Sequence, residues 1–399
     1  MSAPPPPSGG AMERIRAPPF PPRRRRAGHL SVVLVAAAAA AVAAVLGTAP
    51  NSVAGLPPPP PSPPWLAPRP AVSPKWIFPA PAAPVRLSDA DFAEGPLPYP
   101  SAGVILFTDI PASKIRAYHP STGKTTTWWA ESGGANGLAW APDGRLAVCQ
   151  HVKRRIVLVS PGDPDRSEEV LLTHYRGRRL NSPNDIVWDE DGGFYFSDPP
   201  FGLRGQDKDP AKVLPFNGVY YMPPRRTGEA LAAWRARLTL IDDRLPRPNG
   251  VALLDGALLV GDSALGGWYA YRRVNSRGGT GVRGWGRYGP AKKGWERRHL
   301  LTPRAPSTAT ARVGQRRGPL RRKKPSGVDG LTVVPARGDT GDRVYASGVG
   351  GVWVMDGRLR ALGLFPTPGN AKQVTNVAVG GGWLYMTTDE GLWRVRVSG

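Results

Sequence analysis

Cysteine is almost missing: the 399-residue chain holds one, Cys149. A single thiol excludes an intramolecular disulfide and any multi-cysteine zinc site. It stands in the apolar run Leu146-Ala147-Val148-Cys149 and reads as a buried structural thiol. From Val85 onward helix signals are also scarce, with only Gly228 to Leu240 weakly helical in pattern. No serine occupies a Gly-x-Ser-x-Gly elbow. Ser182, Ser197 and Ser263 lie beside Pro or Asp, so a serine-esterase mechanism has no support. Acidic residues are rare in two places. Residues 1–26 carry a net charge of +5, and residues 271–324 hold 17 Lys/Arg against one acid, Glu296. These two segments supply nearly all of the formal charge of +23. The charge therefore sits on a tail and an insertion, not on a helix face or a stacking platform. With no nucleic-acid motif beside it, a specific nucleic-acid partner is not expected.

Residues 1–29 are Pro-rich, cationic and low in complexity, ending near the block Arg23 to Arg26, and read as disordered. Leu30 to Leu46 is a continuous Ala/Val-rich apolar run, followed by the small residues Gly47-Thr48-Ala49. A charged start, an apolar middle and small residues predict a signal peptide or membrane anchor over 30–49. Membrane association through residues 30–46 and a place in the secretory pathway, outside the cell or anchored to a membrane, are the expectation. An organelle leader is the alternative, because the first 80 residues are acid-poor. Residues 50–84 form a polyproline-like linker. A folded domain is expected over 85–397, interrupted by the basic insertion 274–324, which reads as a long exposed loop able to contact polyanions.

Within that domain one stretch sets the pattern. Leu180 to Gly202 reads as two short strands, Ile186 to Trp188 and Phe194 to Phe196, joined by Asp191-Gly192-Gly193. Asn184 and Asp185 stand just before the first strand, and Ser197-Asp198 end the second, ahead of Pro199-Pro200. Similar units start at Asn136-Gly137, Asn249-Gly250, Asp329-Gly330 and Asn376-Val377, and another follows Glu94-Gly95. Six units of short strands predict an all-β fold, a six-bladed β-propeller. The last unit has room for only three strands, so residues 85–91 are expected to supply the fourth and close the ring.

Residues just before the innermost strands of a propeller gather at one mouth of its channel. Here they are Glu94, Asn136, Asn184, Asn249, Asp329 and Asn376. Two carboxylates and four amides, all oxygen donors, suit Ca2+, whereas zinc would prefer His or Cys. Taken singly, each Asn-Gly is explained by a turn. The recurrence at one point of every unit is what argues for a site.

The segment SPNDIVWDEDGGFYFSDPPFG at 182–202 is similar to the most distinctive segment of the SMP-30/gluconolactonase/luciferin-regenerating family. ANGLAWAPDGRLAVCQHVKRRI at 135–156 and RPNGVALLDGALLVGDS at 247–263 agree in order, as do GVDGLTVV and GVGGVWVMDG further on. The resemblance implies a six-bladed propeller with one catalytic divalent cation, Ca2+ or another such as Zn2+, Mg2+ or Mn2+. It implies Glu94, Asn184, Asn249 and Asp329 as metal ligands and Asn136 as a pocket residue. His151 matches a histidine in a segment that usually reads Cys-Glu-His, with Gln150 here in place of Glu. The activity implied is hydrolysis of a small lactone, its carbonyl polarised by the cation and attacked by water. Asp329, with Asn184 and Glu94, would carry that chemistry. Asp329 is the leading general-base candidate, while Asp185 could orient a ligand or hold water in the substrate pocket. Two alternatives stay open: an arylesterase or phosphotriesterase-like hydrolase, and a non-catalytic calcium-stabilised binding propeller.

Overall fold

The computed structural model of the chain describes residues 83–273, 289–290, 295–301, 327–335 and 341–397. The predicted signal or anchor at 30–49 and most of the linker at 50–84 lie outside these residues. Among the described residues no helix is long and apolar enough to cross a membrane.

Six antiparallel sheets form the six blades of a propeller. Their innermost strands are Ala93–Tyr99, Ala135–Trp140, Ile186–Trp188, Pro248–Leu254, Leu331–Val334 and Val374–Gly380. Each inner strand touches the next around the ring, and the last touches the first. The strands arise where apolar and β-branched residues alternate between short turns, the pattern a half-buried pleated surface requires. The weakly helical stretch forms one short helix, Leu231–Arg235, which buries Trp234.

The ring closes as the count of strands predicted. Val85–Asp89 pairs antiparallel with Gly391–Arg396, placing Val85 opposite Arg394 and Asp89 opposite Gly391. The first strand of the chain thereby becomes the outer strand of the last blade and covers the edge of Gly391–Arg396. The core lies between blades rather than within a single layer. One cluster, for example, sets Cys149 and Ile156 of blade two against Phe194, Phe196 and Tyr220 of blade three. Cys149 is buried there, as expected.

The basic insertion differs in part from the exposed loop expected of it. Trp295–Leu301 is a strand of blade four, paired with Gly267–Arg273 and carrying the short Gly289–Pro290 strand outside it. Trp295 is buried, with its ring centroid 6.0 Å from that of Tyr195. The insertion's single acid, Glu296, pairs with Arg272 at 2.7 Å, and Arg297 reaches Asp242 at 3.0 Å. Four successive polar residues, Glu296 to His299, concealed a strand that blade four uses. The rest of 274–324 lies outside the described residues.

Candidate functional site

The blades are tied together around the axis by a chain of hydrogen bonds that explains the recurring Asn-Gly and Asp-Gly pairs. The Gly137 N–H donates to the Asn184 carbonyl at 2.7 Å, Gly250 to Asp329 at 3.2 Å, and Gly330 to Thr375 at 2.7 Å. The Thr108 hydroxyl donates to the Asn136 carbonyl at 3.1 Å, and Thr375 closes the ring to the Ala93 carbonyl at 2.6 Å. A Cβ at Gly137 would lie 2.6 Å from the Asn184 oxygen. Glycine is needed there because the next blade approaches the bare backbone. In each pair the first residue supplies a polar side chain and the second supplies room for the neighbouring blade.

One mouth of the channel opens into a cavity of about 400 Å³. Its lining includes Glu94, Asn136, His151, Asn184, Asn249 and Asp329, contributed by five of the six blades. All six are buried. The Gly95 N–H donates to Glu94 Oε2 at 3.1 Å. Asn249 donates to the Ser263 hydroxyl at 2.9 Å and also to the Asp329 carboxyl. The Asp329 N–H is held by the Ser347 hydroxyl at 2.9 Å.

Electrostatics make this floor unusual. Glu94 is pushed up to about 8, first by burial and then by the negative charge of Asp185. Asp329 is driven well above the carboxylate range by burial, then by the charges of Glu94 and Asp185. Two carboxyls that hydrogen-bond each other in a buried site cannot both ionise without a compensating positive charge. Asp329 Oδ1 and Asn136 Oδ1 are buried without a hydrogen-bond partner. Two mutually repelling carboxyls and two orphaned oxygens together fit a hard cation with oxygen ligands. Among the described residues no three His, Cys, Asp or Glu side chains form a metal-binding group, so a site here relies on amide oxygens beside the two acids.

His151 also lines the cavity. Its ring bonds the Phe201 carbonyl, and its Nδ1 lies 3.5 Å from the Asn136 Nδ2. Burial pushes its pKa down to about 4, so the imidazole is neutral at pH 7. This contact turns the Asn136 amide so that its nitrogen faces the histidine. Gln150 points elsewhere: it donates to the Ser132 carbonyl at 3.0 Å and accepts from Arg155 at 2.5 Å.

Two expectations need correction. Asp185 does not line this cavity but a second one, of about 340 Å³, further along the channel. Its oxygens accept from the N–H groups of Ile186 at 3.0 Å and Val251 at 2.9 Å, so it clamps blade three to blade four. Successive strand residues face opposite ways, which sends Asn184 and Asp185 to different places. Asn376 also lines the second cavity rather than the mouth. Its oxygen accepts from its own neighbour Val377 at 2.8 Å, as Asp185 does from Ile186. Thr375, not Asn376, therefore stands where Asn184 stands in blade three. The Asn376 side chain still reaches Glu94 and hydrogen-bonds it. Phe92, Ile110, Pro111, Phe201 and Gln373 also line the mouth, and no local pattern announces them. Ser263 was visible only as the end of a Gly-Asp-Ser strand terminus.

The segment that carries most of these residues matches a known family model. Residues 92–284 match the model described as SMP-30/Gluconolactonase/LRE-like region, in agreement with the resemblance read from the sequence. A gluconolactonase of Zymomonas mobilis subsp. mobilis is 35% identical over 179 residues, covering 42% of this chain and 47% of the relative. The chain thus spans about half the length of the curated relative it matches. A solved gluconolactonase from Xanthomonas campestris aligns with a TM-score of 0.55 at 26% identity, over 78% of this chain and 88% of that one. Regucalcin from Agrobacterium tumefaciens, described as a calcium-binding protein, aligns with a TM-score of 0.53 over 79% and 93%. At 14% identity that likeness is one of fold.

Proposed function

We propose that this chain, whose residues 92–284 match an SMP-30/gluconolactonase/LRE-like region, is a divalent-cation-dependent hydrolase of small lactones. The observation that carries the reading is the buried Glu94–Asp329 pair with orphaned oxygens beside it, on the floor of an open cavity. Glu94, Asn184, Asn249 and Asp329 would hold the ion, and the all-oxygen donor set favours Ca2+. A cation bound among these donors polarises the lactone carbonyl, stabilises charge growing on its oxygen, and keeps the two carboxyls ionised.

The protein's own groups supply the rest. Asp329 accepts a proton from the water that attacks the carbonyl carbon. The ring C–O bond then breaks, and the proton passes to the departing alkoxide to give an open-chain hydroxy acid. Asn136 orients the substrate from blade two, with its amide fixed by His151. Neutral His151 adds no charge and acts by position. Asp185, engaged by two backbone N–H groups, influences the site through its charge and its clamp between blades.

The test is acid release at constant pH by the purified full-length chain, with Ca2+ or with chelator, across lactone, aryl-ester and phosphotriester substrates. Cation-dependent turnover of lactones is expected. Cation-loaded protein that hydrolyses none of them would overturn the proposal in favour of a binding propeller. A preference for phosphotriesters would move it to the other hydrolase class.

A further inference from the structure

The cavity is chemically two-sided. Beyond the polar floor, blade one contributes Phe92, Ile110 and Pro111, blades three and four contribute Phe201, Gln206 and Ser263, and Gln373 enters from blade six. Phe92 precedes the first strand of blade one, and Ile110 and Pro111 follow its second, so the three residues meet only in the fold.

The blade-one wall has little hydrogen-bonding capacity to offer a substrate. The Ile110 N–H donates to the Phe92 carbonyl at 3.2 Å, and the Ile110 carbonyl accepts from Ser113 at 3.0 Å. Pro111 has no N–H to give. The turn that carries the wall is fixed in turn by blade two. The Ser132 N–H donates to the Ser113 carbonyl at 2.8 Å, and the Gly134 N–H donates to the Ser113 hydroxyl at 3.0 Å. The wall is therefore preorganised and presents carbon. On the floor, His151 is occupied by Phe201 and Asn136. Among the described lining residues there is no Lys or Arg, so a substrate carboxylate or phosphate would find no side-chain cation.

Resting on the lactonase reading above, we propose that the preferred substrate is a neutral lactone with an apolar alkyl substituent rather than a polyhydroxylated sugar lactone. Phe92, Ile110 and Pro111 are the specificity-determining wall. With the carbonyl over the floor, an alkyl chain lies against blade one. A sugar lactone placed the same way turns hydroxyls toward the blade-one wall, whose Ile110 N–H, Ile110 carbonyl and Phe92 carbonyl are already engaged. Each hydroxyl buried without a partner weakens binding by about five- to 150-fold. Each methylene moved from water onto carbon strengthens it by up to about four-fold.

The experiment compares kcat/KM of the full-length chain with Ca2+ on three δ-lactones: unsubstituted δ-valerolactone, δ-decalactone with its pentyl chain, and glucono-δ-lactone. δ-Decalactone is expected to exceed each of the others by at least about ten-fold. The decalactone-to-valerolactone ratio should fall about ten-fold in Ile110→Asn and by a similar factor in Phe92→Ala. Because this is a ratio within one preparation, partial unfolding of a variant does not mimic it. Glucono-δ-lactone ahead of δ-decalactone would overturn the inference and leave the lactonase reading standing. An unchanged ratio in both variants would remove the wall from its role. No turnover of any of the three would overturn both.

Discussion

Alanine at Gly137 tests whether the inter-blade ring builds the site. The new Cβ would sit 2.6 Å from the Asn184 carbonyl oxygen and from Asp185 Oδ1, and 2.7 Å from Asp185 Cα. Ordinary contacts to carbon lie near ~3.5 Å, so the edge of blade three must retreat by about 1 Å. Losing the Gly137–Asn184 hydrogen bond costs about 0.5–1.5 kcal/mol, and the forced shift about 1–3 kcal/mol. Alanine returns about 0.4–1 kcal/mol by restricting the unfolded chain. The net expectation is a loss of about 2–3 kcal/mol, together with weaker Ca2+ binding, because Asn184 moves with its carbonyl. Gly144→Ala in the same blade is the control: Gly144 has φ +83° and nothing within 4 Å of its would-be Cβ. That change costs about 1–2 kcal/mol of backbone strain and leaves the site alone. Guanidinium unfolding and Ca2+ titration of both full-length variants are the assays. Gly137→Ala no less stable than Gly144→Ala, with wild-type Ca2+ affinity, would refute the reasoning.

Asp329→Asn and Glu94→Gln should each lower turnover at least about 100-fold. In chelator, each should be as stable as wild type or more so, because one of two repelling buried carboxyls is gone; thermal melts with and without Ca2+ read this directly. His151→Ala should reduce kcat/KM about ten-fold by freeing the Asn136 amide. Because burial holds His151 to about 4, the pH–rate profile above pH 5 should keep its shape in that variant. Asp198 is raised to about 7, chiefly by burial, although Asn181 and Ser182 donate to it at 2.8 and 2.7 Å. Its folded value lies above its unfolded one, so its contribution is present below about pH 4 and is lost as pH climbs toward 7. Asp198→Asn should flatten that decline in urea titrations at several pH values, though not abolish it, since Asp185 is raised to about 7 as well.

Much of the fold is legible because period-two alternation and the Asn-Gly or Asp-Gly pairs are local signals. The closing strand follows from counting: a sixth unit short by one strand needs Val85–Asp89. What escapes the sequence is a matter of single-residue phase. Asn184-Asp185 and Thr375-Asn376 play the same two roles, but threonine at the first position makes Asn376 look like the mouth residue. The four proposed ligands lie at the mouth because each stands at the start of an inner strand. Asp185, one residue later, belongs to the second cavity. Trp295–Leu301 escapes for a different reason, since four of its seven residues are Glu, Arg or His in one run and no period-two alternation marks it. The wall of Phe92, Ile110 and Pro111 joins the ends of two strands, and no local pattern marks it.

The central claim is that the cation held by Glu94, Asn184, Asn249 and Asp329 is the one that hydrolysis needs. The most direct measurement sets the initial rate of lactone hydrolysis against free Ca2+ beside a calorimetric binding isotherm from the same metal-stripped full-length preparation. The account predicts that the rate and the isotherm share one midpoint. It also predicts that binding at pH 7 releases protons from the Glu94–Asp329 pair, and that Glu94→Gln shifts both curves together to higher Ca2+. Hydrolysis that persists at full rate in the metal-stripped protein, or a Ca2+ isotherm untouched by Glu94→Gln and Asp329→Asn, would contradict it.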